Sequence, residues 1–538
     1  MWAARSSAVE LADHVGVSAI EDRLETIRIT ERLKSLQPAD MDAEYRESCL
    51  PGTRVDILQH LFTSLIDPNP GPSIIWLRGM AGSGKSTILN SVARLSSELH
   101  RGGTFLFWDR YDPLSSEPRR VIRTLAYQLA QFNFAFAAEL VSRIEASPGI
   151  VEASLPVQFQ LLLQEPLALL ASRYDLGPII IVLDALDECG TPDTREGLLH
   201  ILSDGCTKLP SMFRLLISSR DERDIHVALF PPRAEVHILD VPIGDESTAH
   251  DVGLFLRQRL STGRGKPPDW PGADVIQRLT DRAGGLFIWA STTANFIVES
   301  EFPERRLNLV LDASRDAASH HHLYDLYMVT LNDLFHAFGQ DELNVVYSVL
   351  GTLVVAFERL GDEQLSLLLE LEPHVVRNIL SQLQSLLQWR QGKPIQFLHT
   401  SLVDFLRDPE QNHDQKWNID VVAHHHHLAS ACLRLMRRYL RFNVYGITTS
   451  YYRNQEIDAI QERIDRYITP LMYASQYWAD HLAQGAGLQY DGDEVAYFIY
   501  HQFLFWLEVF SFQNLTSLSS VILRTAIGWC RVNSPPHK

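Results

Sequence analysis

Between residues 73 and 240 the chain alternates short apolar runs with longer stretches of helical spacing. The runs are Ser73–Leu77, Thr104–Phe107, Pro178–Leu183, Phe213–Ser218 and Val236–Leu239. Residues 178–183 read PIIIVL, apolar at every position, which predicts a strand buried on both faces. Strands alternating with helices predict a parallel sheet covered by helices, an α/β domain over 51–240. Upstream, Ile20, Leu24, Ile27, Ile29, Leu33 and Leu36 recur at helical spacing with charges between them. They predict an amphipathic helix in a short N-terminal segment, 1–50.

Beyond about 241 the strand signal fades. Asp251–Leu260 and Ala273–Ala283 are predicted helices, and AGGLFIWA (Ala283–Ala290) leads into another. RGKPPDWPG (264–272) reads as a loop and DASRDAASHHH (312–322) as a linker. The remainder is predicted helical and divides at 241–320, 321–410 and 411–538. No repeat with a period of roughly 20–50 residues is present, so a solenoid or propeller is not expected.

Composition narrows the function classes. The 538 residues carry 48 basic and 66 acidic side chains, a net charge of −18. Such a surface repels phosphate backbones, so no nucleic-acid partner is expected. Cys49, Cys189, Cys206, Cys432 and Cys530 are scattered without metal-ligand or disulfide spacing. The N-terminus lacks a signal-peptide pattern, and no run approaches the roughly 18 apolar residues of a membrane span. A cytoplasmic protein is the expectation.

The candidate chemistry begins at GMAGSGKS, which fits G-x-x-x-x-G-K-[ST] between a predicted strand and a predicted helix. Gly79, Gly82, Ser83 and Gly84 would let backbone N–H groups wrap a phosphate. Lys85 would neutralise the β- and γ-phosphates, and Ser86, followed by Thr87, would ligate Mg2+. In IIIVLDALDE a buried strand ends at Asp184, placed to hold Mg2+ through water. Asp187 and Glu188 follow, and either could orient or deprotonate an attacking water; Glu188 is favoured. A third run, FRLLISSR, ends in Ser218, Ser219 and Arg220, where a cation could reach a γ-phosphate. An ordinary surface arginine fits that position equally well. His320–His322 and His424–His427 read as solvated runs, because no carboxylate or thiol completes a metal set. FLFWLEVFSF (Phe503–Phe512) reads as helix packing.

These residues carry a family resemblance. The chain resembles the NACHT family of STAND signal-transduction P-loop NTPases, in the form abundant in mushroom-forming fungi. It is also similar to the N-terminal region of nephrocystin-3. The matching segments are CLPGTR (Cys49–Arg54), GMAGSGKST, IIIVLDALDE, LLISSR, AGGLFIWA, LYDLY (Leu323–Tyr327) and LHTSLVDFL (Leu398–Leu406). HHLASACLRLM (His426–Met436) and YASQYWADHL (Tyr473–Leu482) follow. The resemblance implies a P-loop domain at 51–240, a helical domain at 241–320, a winged-helix-like domain at 321–410 and a helical arm at 411–538. It implies a switch closed with ADP, opened by exchange for ATP, slow in hydrolysis, and self-associating when ATP-bound. Its setting would be intracellular signalling, innate immunity or non-self recognition, with separate sensor or effector proteins as partners. It also implies that His399 touches the ADP β-phosphate, that Arg220 senses the γ-phosphate, and that Thr53 and Arg54 pass near the adenine. WD or ankyrin sensor repeats, usual in such proteins, are not seen before Lys538. An ATP-consuming kinase or mechanical ATPase, and a nucleotide-binding scaffold without turnover, stay open as alternatives.

Overall fold

Five parallel strands form the centre of the N-terminal half: β1 (Ile74–Arg78), β2 (Gly102–Phe107), β3 (Ile179–Asp184), β4 (Phe213–Ser219) and β5 (Val236–Asp240). The structure is a computed structural model. It describes residues 27–39, 47–67, 72–99, 101–109, 116–173, 178–230, 236–261, 269–312, 322–336, 338–409, 417–447, 451, 454, 460–485, 493–513 and 515–533. Residues 20–26 of the predicted N-terminal helix, 264–268 of the loop, 313–321 of the linker with His320 and His321, and 534–538 lie outside them.

The strand order is β2-β3-β4-β1-β5, with every pairing parallel. All five predicted strands are present. Side chains alternate between the two faces, as the strand period of two requires. Ile75, Leu77, Ile180, Val182 and Leu216 pack with Leu61 and Leu65 of the Val55–Ile66 helix and with Ile88, Leu89 and Val92 of the Lys85–Glu98 helix. Ile74, Trp76, Ile181, Leu183, Leu215 and Ile217 face the other way. They pack on Val121 and Leu125 of the Pro118–Phe132 helix and on Leu140 of the Phe134–Ala146 helix. Both faces are covered, which is why β3 is apolar up to Asp184 and β4 carries the buried apolar residues Phe213, Leu215, Leu216 and Ile217. Fully burying each such side chain contributes about 1.5–3 kcal/mol. Ile29, Leu33 and Leu36, one stripe of the predicted N-terminal helix, join the second cluster.

The predicted helix at Asp251–Leu260 runs over Glu246–Ser261. Its start is polar: Asp245 Oδ1 accepts from the Thr248 N–H, satisfying an N-terminal donor that apolar periodicity does not reveal.

The described chain divides into two compact units. The first runs to Phe255 and includes Gly284–Phe287; the second comprises Leu256–Ala283 and the chain from Ile288. In the second unit the helices Gln340–Val355, Asp362–Leu368 and Pro373–Gln382 lead into an antiparallel pair, β6 (Leu387–Gln388) and β7 (Gln396–Phe397). Helices at Thr400–Arg407, Val421–Tyr439, Ile460–Gln484, Asp493–His501, Phe503–Phe512 and Thr516–Asn533 follow. Trp506 is buried and its indole donates to the Ser475 carbonyl at 2.9 Å, so the Phe503–Phe512 helix is packed core. Among the described residues no single helix is long and apolar enough to cross a membrane.

One histidine of the predicted solvated run is not solvated. His425 is buried in the Val421–Tyr439 helix, with its Nδ1 2.8 Å from Nδ1 of buried His481. Nε2 of His481 lies 2.8 Å from Tyr473 Oη, which accepts from the Phe357 N–H at 3.4 Å. One proton arrangement satisfies the chain: Tyr473 donates to His481, whose Nδ1–H donates to His425. A helix repeat turns each of four successive residues to a different side, so a histidine run cannot be uniformly exposed on a helix that packs on one face.

Candidate nucleotide site

Strand β1 ends at Arg78, and the P-loop sequence carries the chain into the Lys85–Glu98 helix. The helix N-cap is Gly84, with φ +92°, a conformation that disfavours any side chain. At Gly79 a Cβ would stand 3.0 Å from Ser83 Oγ and 3.1 Å from Val241 Cβ, so the loop closes too tightly for alanine without local movement. Ser83 Oγ is buried and has no hydrogen-bond partner in the structure. A buried orphan hydroxyl inside such a cradle is an observation that fits a bound oxyanion. Lys85 Nζ donates to the Gly79 carbonyl at 2.7 Å and to Met80 at 2.9 Å. Burial lowers the Lys85 pKa, while the charges of Asp187, Asp184 and Glu188 oppose that effect and Arg220 adds to it. The predicted P-loop cation and the three predicted carboxylates therefore share one site. Thr87 sits half-buried in the first turn of the helix, and its carbonyl accepts from Ser91 Oγ.

Because β4 lies between β1 and β3, the ends of three strands converge. Ser86 Oγ donates to Asp184 Oδ1 at 3.1 Å, and Ser218 Oγ donates to the same oxygen at 2.6 Å. Ser218 Oγ also accepts from the Ala185 N–H at 2.9 Å. Asp184 is fully buried at the end of β3. A hydroxyl and a carboxylate in contact are hard oxygen donors, the set that Mg2+ takes beside substrate phosphates. Ser218 was visible in the sequence only as a strand end; its bridging hydroxyl is a feature of the strand order.

Asp187 and Glu188, adjacent in sequence, differ in surroundings. The Asp187 carboxylate is buried; Oδ1 accepts from the Arg220 N–H at 3.0 Å, and Oδ2 is 3.3 Å from Arg220 Nε. Glu188 is half-buried at the end of the short 3-10 turn Leu186–Glu188. Arg220, at the carboxyl end of β4, is thus brought beside the predicted acidic pair, with its guanidinium engaged by Asp187.

Two residues of CLPGTR lie against the loop in different ways. Thr53 turns its hydroxyl onto the Leu50 carbonyl within its own turn, at 2.8 Å. Arg54 is buried and donates to the Ser83 carbonyl (3.0 Å) and to Thr248 Oγ1 (2.9 Å), with its guanidinium 5.0 Å from the Phe287 ring centre. Sequence reasoning expected Arg54 near a base and missed its grip on the P-loop. His399 lies in the second unit as N-cap of the Thr400–Arg407 helix, and its Nδ1 accepts from the Ser401 N–H at 3.0 Å. That bond leaves the ring proton on Nε2.

Residues 52–220 match the family model described as "Nephrocystin 3, N-terminal". No curated protein matches the chain. Among solved structures it is similar to a Signal Transduction ATPase with Numerous Domains (STAND) protein with a tetratricopeptide repeat sensor from Pyrococcus horikoshii. The identity is 14%, over 92% of this chain and 65% of that one, with a TM-score of 0.41. It is also similar to Cdc6p from Pyrobaculum aerophilum, at 15% identity over 68% of this chain and 94% of that one, with a TM-score of 0.29. The chain thus spans 65% of the length of the first of these. Residues 52–220, which hold the glycine loop and strands β1 to β4 of the parallel sheet, thus form a P-loop NTPase fold and are similar to the nephrocystin-3 N-terminal family.

Proposed function

We propose that this chain is a conformational switch that binds ATP or ADP with Mg2+ and hydrolyses ATP slowly. The carrying observation is the contact of Ser86 Oγ with Asp184 Oδ1 beneath a glycine cradle that holds Lys85 and an unpartnered Ser83 hydroxyl. Backbone N–H groups of Gly82–Ser86 bind phosphate oxygens, and Lys85 leaves the Gly79 and Met80 carbonyls to neutralise them. Ser86 and Asp184 would hold Mg2+ there. Bound there, Mg2+ would neutralise charge on the phosphates during hydrolysis. Glu188 accepts the proton of the attacking water. Asp187 keeps Arg220 at the mouth of the site, from where Arg220 reaches a γ-phosphate by exchanging partners.

On this reading 241–320 is a helical domain, 321–410 winged-helix-like and 411–538 a helical arm. His399 donates Nε2–H to the β-phosphate of ADP. ADP favours a closed form, and ATP favours an open, self-associating one, because the two nucleotides differ in the contacts they make. The setting is cytoplasmic signalling or non-self recognition with separate sensor or effector partners. The test is the nucleotide released when purified protein is denatured, compared with Lys85→Ala. Tightly held ADP in the wild type and none in the variant is expected. An empty wild-type site with rapid steady turnover would overturn the switch in favour of an ATP-consuming enzyme.

A further inference from the structure

A buried arginine outside every motif read from the sequence holds the acidic turn in place. Arg195, on the Pro192–His200 helix, has a side chain only 1% exposed. Its Nη1 donates to the Asp187 carbonyl at 2.8 Å. Its Nε and Nη2 grip both oxygens of Asp224, at 2.6 and 3.0 Å, and Nη2 also pairs with Glu222. Both acids follow β4, just beyond Arg220. From the opposite side, the Asp187 carboxylate takes the Arg220 N–H. Asp187 and Arg195 therefore tie the turn after β3 to the turn after β4 by two separate routes.

The geometry fixes one peptide plane in particular. The Asp187 C=O is held by Arg195, and the N–H of the same Asp187–Glu188 peptide donates to the Ala185 carbonyl at 2.8 Å. A trans peptide is planar, with its C=O and N–H directed oppositely, so bonds at both ends set the plane and with it the departure of the Glu188 side chain. Ala185 has φ +61°, outside the ordinary region for alanine, so the turn is strained and needs such external restraint.

We propose that Arg195 is a positioning residue for ATP hydrolysis: by clasping the Asp187 carbonyl to Asp224 and Glu222 it sets Glu188 and Arg220 in register and fixes how long the ATP form lasts. The inference rests on the reading of Glu188 as the hydrolytic base. The Arg195 guanidinium is spent on the Asp187 carbonyl, Asp224 and Glu222, so its effect belongs in turnover and not in binding.

The test uses the full chain and compares wild type, Arg195→Lys, Glu188→Gln and the double variant. Single-turnover ATP hydrolysis and equilibrium ATP affinity are measured for each. Lysine keeps the charge but cannot serve Asp224 with two donors and reach the Asp187 carbonyl at once. Arg195→Lys should slow hydrolysis by roughly 10- to 100-fold with ATP affinity within about twofold of wild type. The double variant should be no slower than Glu188→Gln alone, because residues acting as a unit are not additive. Where Arg195→Lys does not fold, Asp224→Asn loosens the same clasp from its other end and should show the same pattern. Multiplying losses in the double variant, or weaker ATP binding with unchanged hydrolysis, would overturn the role of Arg195 alone. A wild type that binds ATP and never hydrolyses it would overturn the hydrolytic reading and this inference together.

Discussion

Arg54 Nη2 donates to the Ser83 carbonyl at 3.0 Å, from a buried guanidinium that also faces the Phe287 ring. A trans peptide directs its C=O and N–H oppositely, so the bond to the Ser83 C=O also restrains the direction of the Gly84 N–H. The guanidinium also holds Thr248. One side chain thus connects the P-loop with the segment after β5 and with the start of the Phe287–Val298 helix.

Removing that grip should weaken nucleotide binding. A hydrogen bond to a charged group contributes about 1.5–3 kcal/mol, so Arg54→Met should lose roughly 10- to 100-fold in affinity. Titration with a fluorescent ADP analogue measures this. Wild-type affinity in a folded Arg54→Met protein would show that the loop holds its shape unaided.

The two acidic neighbours should separate experimentally. Asp187 is buried and bonded to Arg220, so Asp187→Asn should lower both thermal stability and turnover. Glu188→Gln should leave the melting temperature near wild type and slow hydrolysis by about 10²- to 10⁴-fold, the range of general-base catalysis. The reverse pattern would make Asp187 the base.

His399 offers a cleaner separation of cap from contact. His399→Ala loses the bond from the Ser401 N–H, a helix cap worth about 0.5–2 kcal/mol, together with the ring. His399→Asn restores a cap and still lacks Nε2–H. Both variants should release ADP faster than wild type in stopped-flow displacement. Normal release from His399→Asn would confine this residue to capping.

The buried histidine pair should make stability pH-dependent. Burial, with Arg407 and His424 adding to it, pushes His425 down to about 4, and burial with His425 pushes His481 well below its ordinary value. An unfolded histidine titrates near 6.5, so below that pH the unfolded chain binds the extra proton. The stabilisation is complete above about pH 6.5 and is lost as pH falls toward about 4. For His425 the loss between pH 7.5 and 5 is about 2 kcal/mol. Thermal melts at the two pH values should differ less in His425→Gln than in wild type. An equal difference would place the acid sensitivity elsewhere.

Local patterns settled much of this molecule. The apolar runs located all five strands, and β3 shows the strongest run because a strand covered on both faces must be apolar at successive positions. GMAGSGKS and DALDE located the glycine loop before the Lys85–Glu98 helix and the acidic turn after β3, because a tight loop and a candidate phosphate and metal chemistry call for those residue types at fixed spacing. Three things had no local signal. The order β2-β3-β4-β1-β5 decided that Ser218, not a residue of β1, supports Asp184. The close return of the Pro192–His200 helix brought Arg195 under the Asp187 carbonyl. Packing of the Val421–Tyr439 and Ile460–Gln484 helices buried His425 against His481 while others of the run stayed more exposed. Each joins residues at least eight positions apart, and at that separation partners are selected by which buried polar groups the folded core must satisfy, not by spacing along the chain.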